Sequence, residues 1–358
     1  MEQISTFGVE EEFLLVDDRG HLSDRGPEVV EAFDRPDGDV HRELARSQVE
    51  LASEVCRGAG ELLDQLTHFR SRLAGEAAKR RLRLLASATP PLAEEHPPAL
   101  TPTPRYRRMG EHFGMIARTG TTCGCHVHVK IPDRGTGVRI SNHVRPWLPV
   151  LLALTANSPF DSGHDTRYSS WRHVLWSRWP SAGPPPVFAS LDEYESRVAA
   201  MLQSGAMLDR GMIYWDIRLS EKRPTLEFRI SDVAATAREA ATLAAVVRGL
   251  VLTAMSELDA PPPPVPGEVL RANLWRAARD GLDGSALHPE TGRLTPAPAL
   301  ISQLVERIRG ALTGTGDLDF VVESLAWVRE HGNGAQRQRR AYAANEQLTD
   351  VVDLLSLR

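Results

Sequence analysis

Cysteine is scarce, with three among 358 residues. An odd number cannot close into a disulfide framework, and so low a count suits a reducing cytoplasm. Neither sign of charge dominates: 42 Lys and Arg stand against 47 Asp and Glu, a formal charge of −5. That balance supplies no basic footprint for nucleic acid. No stretch reaches the roughly 20 uninterrupted apolar residues that span a bilayer. The start, MEQISTFGVEEEF, lacks the basic-then-apolar order of a signal peptide. These absences predict a soluble, cytoplasmic protein that touches neither nucleic acid nor membrane. Familiar site motifs are missing too: no GxxxxGK(S/T), no GxGxxG after a strand, no HExxH and no GxSxG. A nucleotide would have to be held by metal-bound phosphates and arginines instead.

What is present is loop-rich, with 27 Gly and 25 Pro. Prolines cluster at Pro90–Pro104, Pro184–Pro186 and Pro261–Pro266. The last cluster, PPPPVP, is stiff and cannot continue a helix, so it separates a sheet-containing core (1–260) from a helical C-terminal part (267–358). Alternation predicts strands at Phe7–Val16, Ser47–Val55, Arg83–Ala88 and Gly124–Ile131, and a hairpin of Ile213–Leu219 with Thr225–Ser231. Helical periodicity fills Ala59–Arg80, Tyr106–Arg118, Ser141–Ala156, Leu191–Ser204 and Ala234–Glu257, then Glu268–Asp280, Ala299–Ala311, Leu318–His331 and Asn345–Leu357. The hairpin and the polar strand faces favour an α+β fold, a mainly antiparallel sheet with helices on one side.

Strand side chains alternate between faces. Glu10 and Glu12 share one side of the first strand, while Val9, Glu11, Phe13 and Leu15 share the other. Likewise Gln48, Glu50 and Glu54 oppose Val49, Leu51 and Val55; His126, His128 and Lys130 oppose Cys125, Val127 and Val129; Glu227 and Arg229 oppose Leu226, Phe228 and Ile230. Asp216 and Arg218 alternate with Ile217 and Leu219. A solvated antiparallel face would account for any one strand. The set is richer in Glu and His than such a face, and converging carboxylates repel unless cations sit among them. Hard divalent ions with carboxylate ligands and substrate phosphates resolve that repulsion, which makes this face a candidate Mg-nucleotide site. The run Cys123-Gly-Cys-His-Val-His128 invites a zinc reading, but one strand puts its cysteines and histidines on opposite faces. Cys123 and Cys125 read better as small buried residues, and His128 as either a ligand or a residue behind one. Candidate phosphate-binding arginines lie in Asp165-Thr-Arg-Tyr168, at Arg172 and Arg178, and in Gln336-Arg-Gln-Arg-Arg340, a run that also reads as a solvated basic loop. Trp171, Trp176 and Trp179 suggest core or lid packing.

Taken in order, Gly8-Val-Glu-Glu-Glu-Phe13, Gln48-Val-Glu50, Cys125-His-Val-His-Val129, Ala156-Asn-Ser-Pro-Phe160, Tyr214-Trp-Asp-Ile-Arg218, Thr225-Leu-Glu-Phe-Arg229, Trp275-Arg-Ala-Ala-Arg279 and Arg337-Gln-Arg339 form a joint pattern. The pattern resembles the bacterial carboxylate–amine ligase (YbdK-type) branch of glutamate–cysteine ligase family 2, over residues 7 to about 355. The resemblance implies a glutamine-synthetase-like fold, a curved sheet forming a funnel with helices outside, and a single catalytic domain whose helical C-terminal part completes the site. It implies ATP-dependent joining of a glutamate-like carboxylate to an amine, cysteine or another amino compound, with weak glutamate–cysteine ligase activity. By the same resemblance Glu10, Glu12, Glu50, His126 and Glu227 are metal ligands for Mg²⁺, which Mn²⁺ also fits. Arg229, Glu227 and Arg218 are the catalytic set, and Arg178, Arg337 and Arg339 approach nucleotide or substrate. Relatives imply a homodimer or small oligomer. Many of them carry Thr-Pro where this chain has Ala52-Ser53, which opens the role of Glu54.

The chemistry fits these residues. A carboxylate resists amines until one oxygen becomes a leaving group; phosphorylation by ATP supplies an acyl phosphate, which the amine displaces. Anions meet in that step, so Mg²⁺ and arginine must neutralise charge. Asp216 or Glu54 is the expected acceptor of the amine proton, and Ser158–Phe188 the expected lid. A phosphotransferase on the same scaffold, a silent small-molecule-binding protein and a metallohydrolase are the competing readings.

Overall fold

The computed structural model describes residues 6–33, 39–119 and 121–357. Five strands come first: β1 (Phe7–Val16), β2 (Asp39–Arg42), β3 (Gln48–Ala52), β4 (Arg83–Leu85) and β5 (Gly124–Lys130). A short hairpin follows, β6 (Phe160–Asp161) and β7 (His164–Asp165), and then β8 (Ile217–Leu219) and β9 (Thr225–Asp232). Seven of these nine make one sheet in the order β2-β3-β1-β5-β9-β8, with β4 sharing the β5 edge of β1. Every pairing in it is antiparallel, as the alternating faces require.

Two 20-residue helices cover one face. Ala59–Ala78 presents Leu62, Leu66, Phe69 and Leu73, a stripe at helical spacing, to the core. Ala237–Ser256 opens on a capping box between Thr236 and Glu239 and is buried almost all round, because it lies between the sheet and outer helices. It is the one described helix long and apolar enough to cross a bilayer, yet 72% of its apolar window is buried inside the protein. One hydrophobic cluster contains Leu250 before the Pro261–Pro266 stretch and Leu270, Leu304 and Ile308 after it. Arg145, fully buried, donates to the carbonyls of Pro185 (2.8 Å) and Val265 (2.8 Å), fastening two proline segments to the core.

Several boundaries differ from expectation. β3 stops at Ala52 rather than Val55, because Ser53 takes over the pairing with β1. Val9 N–H donates to Ser53 Oγ (3.0 Å) and Ser53 N–H to the Val9 carbonyl (2.9 Å). The predicted strand Arg83–Ala88 ends at Leu85, and Ile213–Leu219 shortens to β8, preceded by a 3₁₀ turn at Arg210–Met212. The basic run around Arg337 lies on a helix, Gly334–Asn345, started by a capping box of Asn333 with Gln336.

Candidate active site

Register brings the acidic side chains together. Glu10 pairs with His126, Glu12 with Glu50, and His128 with Glu227, across three strand boundaries on one face. Three groups of ligand-type atoms result: Glu10, Glu50 and His126; Glu10, His128 and Glu227; Glu12, Glu43 and Glu50. Within each the atoms lie within 4.8 Å of one another. Glu43, just beyond β2, has no counterpart in the sequence reading. β2 is four residues, Asp-Val-His-Arg, too short for alternation to register, so nothing marked Glu43 as facing Glu50.

The electrostatics are those of a site short of cations. Burial, then Glu43, pushes Glu12 up to about 7. Burial and the carboxylates of Glu43, Glu10 and Glu12 hold Glu50 well above the usual range. Burial also raises Glu10, but His126 and His128 beside it outweigh that and leave it low. Burial and Arg229 lower His126 to about 3, so its imidazole is neutral and able to ligate. The Nε2 atoms of His126 and His128 are both buried without a hydrogen-bond partner. Unpartnered imidazole nitrogens facing crowded carboxylates are a donor set suited to divalent metal.

Glu227 is different. Arg218 grips it with two bonds, Nε to Oε2 (2.7 Å) and Nη2 to Oε1 (2.8 Å), and Arg229 Nη1 donates to Oε1 as well. Burial would raise it, but the two guanidiniums dominate and keep it ionised. Arg218 spends its remaining Nη1 donor on the carbonyls of Gly211 (2.8 Å) and Ile213 (2.9 Å), so it holds Glu227 in place. Arg229 lies over the packed pair of Trp176 and Tyr214, 5.6 and 5.8 Å from their ring centroids, which are themselves 4.7 Å apart.

A bulge aims Arg229. Between the pairs Cys125–Ser231 and Val127–Phe228 the register shifts, so Arg229 and Ile230 together oppose His126. The fully buried Arg172 caps the irregularity, with Nη2 on the Arg229 carbonyl (3.3 Å) and Nη1 on that of Ile230 (3.5 Å). Only glycine fits at 124, because a Cβ there would run into Arg172 Nη2 and crowd His126 Nε2. Gly124 N–H donates instead to Glu12 Oε2 (2.6 Å). Asp232 anchors this region, accepting from Asn157 N–H (2.7 Å), Ser158 Oγ (2.7 Å) and Ser170 Oγ (2.8 Å). The Ala156–Phe160 motif thus does its work through main-chain and hydroxyl bonds and through the Asn157 amide, which donates to the Ala86 (2.8 Å) and Val233 (2.9 Å) carbonyls.

The remaining predicted residues lie elsewhere. Glu54 is exposed beyond the end of β3, and Arg178 is exposed after the helix Trp171–Trp176. Arg337 donates to the Gly332 carbonyl (2.8 Å) and Glu239 (2.8 Å), and Arg339 to Asp165 (3.1 Å) and the Tyr168 carbonyl (2.9 Å). The three cysteines are buried and free; Cys125 packs with Val127 and Val129 in the core, and Cys123 Sγ accepts from Gln48 Nε2 (3.6 Å).

A family model for glutamate–cysteine ligase family 2 matches residues 6–354. The chain belongs to glutamate–cysteine ligase family 2. It is 54% identical over 351 residues to "Putative glutamate--cysteine ligase 2-1" of Rhodococcus jostii (strain RHA1), covering 98% of this chain and 95% of that one. A Saccharopolyspora erythraea protein of the same name is 48% identical over 348 residues, covering 97% and 93%. Among solved structures, a glutamate–cysteine ligase from Francisella tularensis in complex with AMP superposes with a TM-score of 0.66 at 13% identity, over 98% of this chain and 87% of that one. A bifunctional glutathione synthetase from Pasteurella multocida gives 0.68 at 14%, over 98% and 52%. The α+β, glutamine-synthetase-like fold is therefore the ligase fold that the family-2 resemblance implied.

Proposed function

We propose that this family-2 chain is an ATP-dependent ligase that joins a glutamate-like carboxylate to an amine through an acyl phosphate. The observation that carries the reading is the sheet face itself: three overlapping acidic groups, two of them with an imidazole, beside Arg218 and the buried Arg229, both fixed on Glu227. Glu10, Glu12, Glu43, Glu50, His126, His128 and Glu227 would hold divalent ions, Mg²⁺ or Mn²⁺. Such ions supply charge neutralisation and alignment between nucleotide phosphates and the carboxylate. Arg229 stabilises charge developing on the transferred phosphoryl group, an effect of several kcal/mol in a water-poor site. Arg218 keeps Glu227 oriented, and Arg172 braces the bulge behind Arg229. Arg178 is free to reach a nucleotide from the rim, whereas Arg337 and Arg339 would have to leave Glu239 and Asp165 to do so. Cysteine is the default amine, a single catalytic domain the working unit, and a homodimer in the cytoplasm its expected setting.

The test is to follow nucleotide and product together with Mg-ATP, glutamate and pooled amines including cysteine. ADP and phosphate formed only when both carboxylate and amine are present, with the mass of an amide, establish the ligase. A phosphorylated product without amine dependence indicates a phosphotransferase, and AMP with pyrophosphate overturns the acyl phosphate. Glu227→Ala is expected to abolish ATP-dependent turnover with the circular dichroism of the folded protein retained; full activity in a folded variant sinks the site assignment.

A further inference from the structure

Six carboxylate residues are deeply buried among the described residues: Glu11, Glu12, Asp216, Glu227, Asp232 and Asp317. Five have donors. Glu11 takes Arg70 (2.9 Å), Glu12 the Gly124 N–H, Glu227 two arginines, Asp232 three donors, and Asp317 both Arg248 and the Ala59 N–H (2.9 Å). Asp216 has none: its Oδ2 is buried without a hydrogen-bond partner, and no Lys, Arg or His of the described residues ion-pairs with it. Leaving a buried carboxylate unbonded costs a folded protein several kcal/mol, so such a group is kept for something that arrives.

Its surroundings are as incomplete. Asp216 immediately precedes β8, and its carbonyl accepts the Arg229 N–H (2.8 Å), which sets it beside Arg229 across the ladder. By alternation its side chain shares the face of Arg218, the residue that grips Glu227. Arg229 Nε, Arg172 Nε and Trp176 Nε1 are likewise buried without partners. Both guanidinium carbons lie within 5.7 Å of the Trp176 ring centroid. One acceptor, on the residue paired with Arg229 across the ladder, and three donors, on Arg229 and on its neighbours Arg172 and Trp176, are therefore all unused.

We infer that Asp216 receives the incoming amine, first as counter-ion to its ammonium and then as its proton acceptor. The inference rests on the ligase reading above. Asp216 carboxylate takes a proton from R–NH₃⁺. The free amine attacks the acyl-phosphate carbonyl carbon, a C–N bond forms, and the C–O bond to phosphorus breaks with its electron pair leaving on phosphate. The second nitrogen proton goes to the departing phosphate, and Asp216 returns its own to solvent. Other carboxylates on the face are spoken for: Glu227 is pinned by two arginines, the Glu10, Glu12, Glu43 and Glu50 groups face ions, and Glu54 is exposed. Burial, opposed by Arg172 and Arg229, the charged groups facing it, brings Asp216 to about 7, suited to exchanging a proton at neutral pH.

The experiment compares two nucleophiles with glutamate and Mg-ATP: cysteine, whose amine must lose a proton, and hydroxylamine, whose nitrogen is largely unprotonated at neutral pH. Asp216→Asn, checked for a native thermal melt, is expected to lose roughly 10²–10⁴-fold in kcat with cysteine and at least tenfold less than that with hydroxylamine. Equal losses with both nucleophiles, or no loss, overturn the inference, as does the selective pattern appearing in Glu43→Gln instead. If Asp216→Asn does not fold, Asp216→Glu in the same comparison must favour hydroxylamine over cysteine relative to the native protein; unchanged preference counts against it. Failure of the native protein to form either product, with ATP untouched, refutes the ligase reading itself.

Discussion

Glu11 and its neighbours Glu10 and Glu12 are one residue apart in sequence and on opposite faces of β1. Glu11 is fully buried against the helix Ala59–Ala78, where Arg70 meets both its oxygens (2.9 and 2.5 Å) and Phe13 lies beneath the guanidinium. Arg70 also reaches the Ala234 carbonyl (3.0 Å). Arg248 and Asp317 repeat the pattern on the same side, over Phe7. There each buried acid has a basic partner and the charge is structural. On the other face Glu10, Glu12, Glu43 and Glu50 outnumber the cations near them, and imidazole nitrogens lack partners. The same residue type is a strut where its charge is matched and is left open to a cation where it is not. The difference lies in the neighbouring elements, not in the strand.

That contrast breaks if both faces respond alike. The largest effect is expected from Glu11→Ala, which strands Arg70 in the core and costs about 3–5 kcal/mol in urea denaturation, with kcat per folded molecule little changed. Glu50→Gln should act in the reverse sense. Ligase turnover falls roughly a hundredfold or more, while the metal-free protein gains about 1 kcal/mol because one repelling carboxylate is gone. A loss of stability in Glu50→Gln would place it with the struts.

The smallest effect sharpens the comparison through pH. Glu12 is raised in the fold from 4.5 to about 7, so its contribution is intact below about 4.5 and lost as pH rises through 7. His126 is lowered from 6.5 to about 3, so its contribution is present above 6.5 and lost as pH falls. Above about 6.5 the carboxylate loss alone remains, and divalent ion should offset it. The Mg²⁺-induced rise in Tm is therefore expected to be larger at pH 8 than at pH 5.5, worth about 2.7 kcal/mol at a hundredfold excess over Kd. A Tm gain independent of pH would mean the ion binds elsewhere.

Much of the site could be read along the chain. Period-two alternation put Glu10, Glu12, Glu50, His126, Glu227 and Arg229 on one face, because which way a strand residue points is a local property. Glu54 escaped that logic once Ser53 hydroxyl ended the strand early. Glu43 was invisible because it lies just past a strand of four residues at a sheet edge.

Sequence alone determined the main strands that carry the clustered acids and histidines, the faces they present, and the family, since these follow from short-range period and ordered motifs. Only the tertiary structure decided that Arg337 serves Glu239 while Arg172 braces the Arg229 bulge, that Glu43 joins Glu12 and Glu50, and that Asp216, alone among the deeply buried acids of the described residues, was left without a donor. Those outcomes depend on which distant segment arrives beside a side chain. Charge matching is a property of pairs brought together by packing, and no window of sequence contains both members.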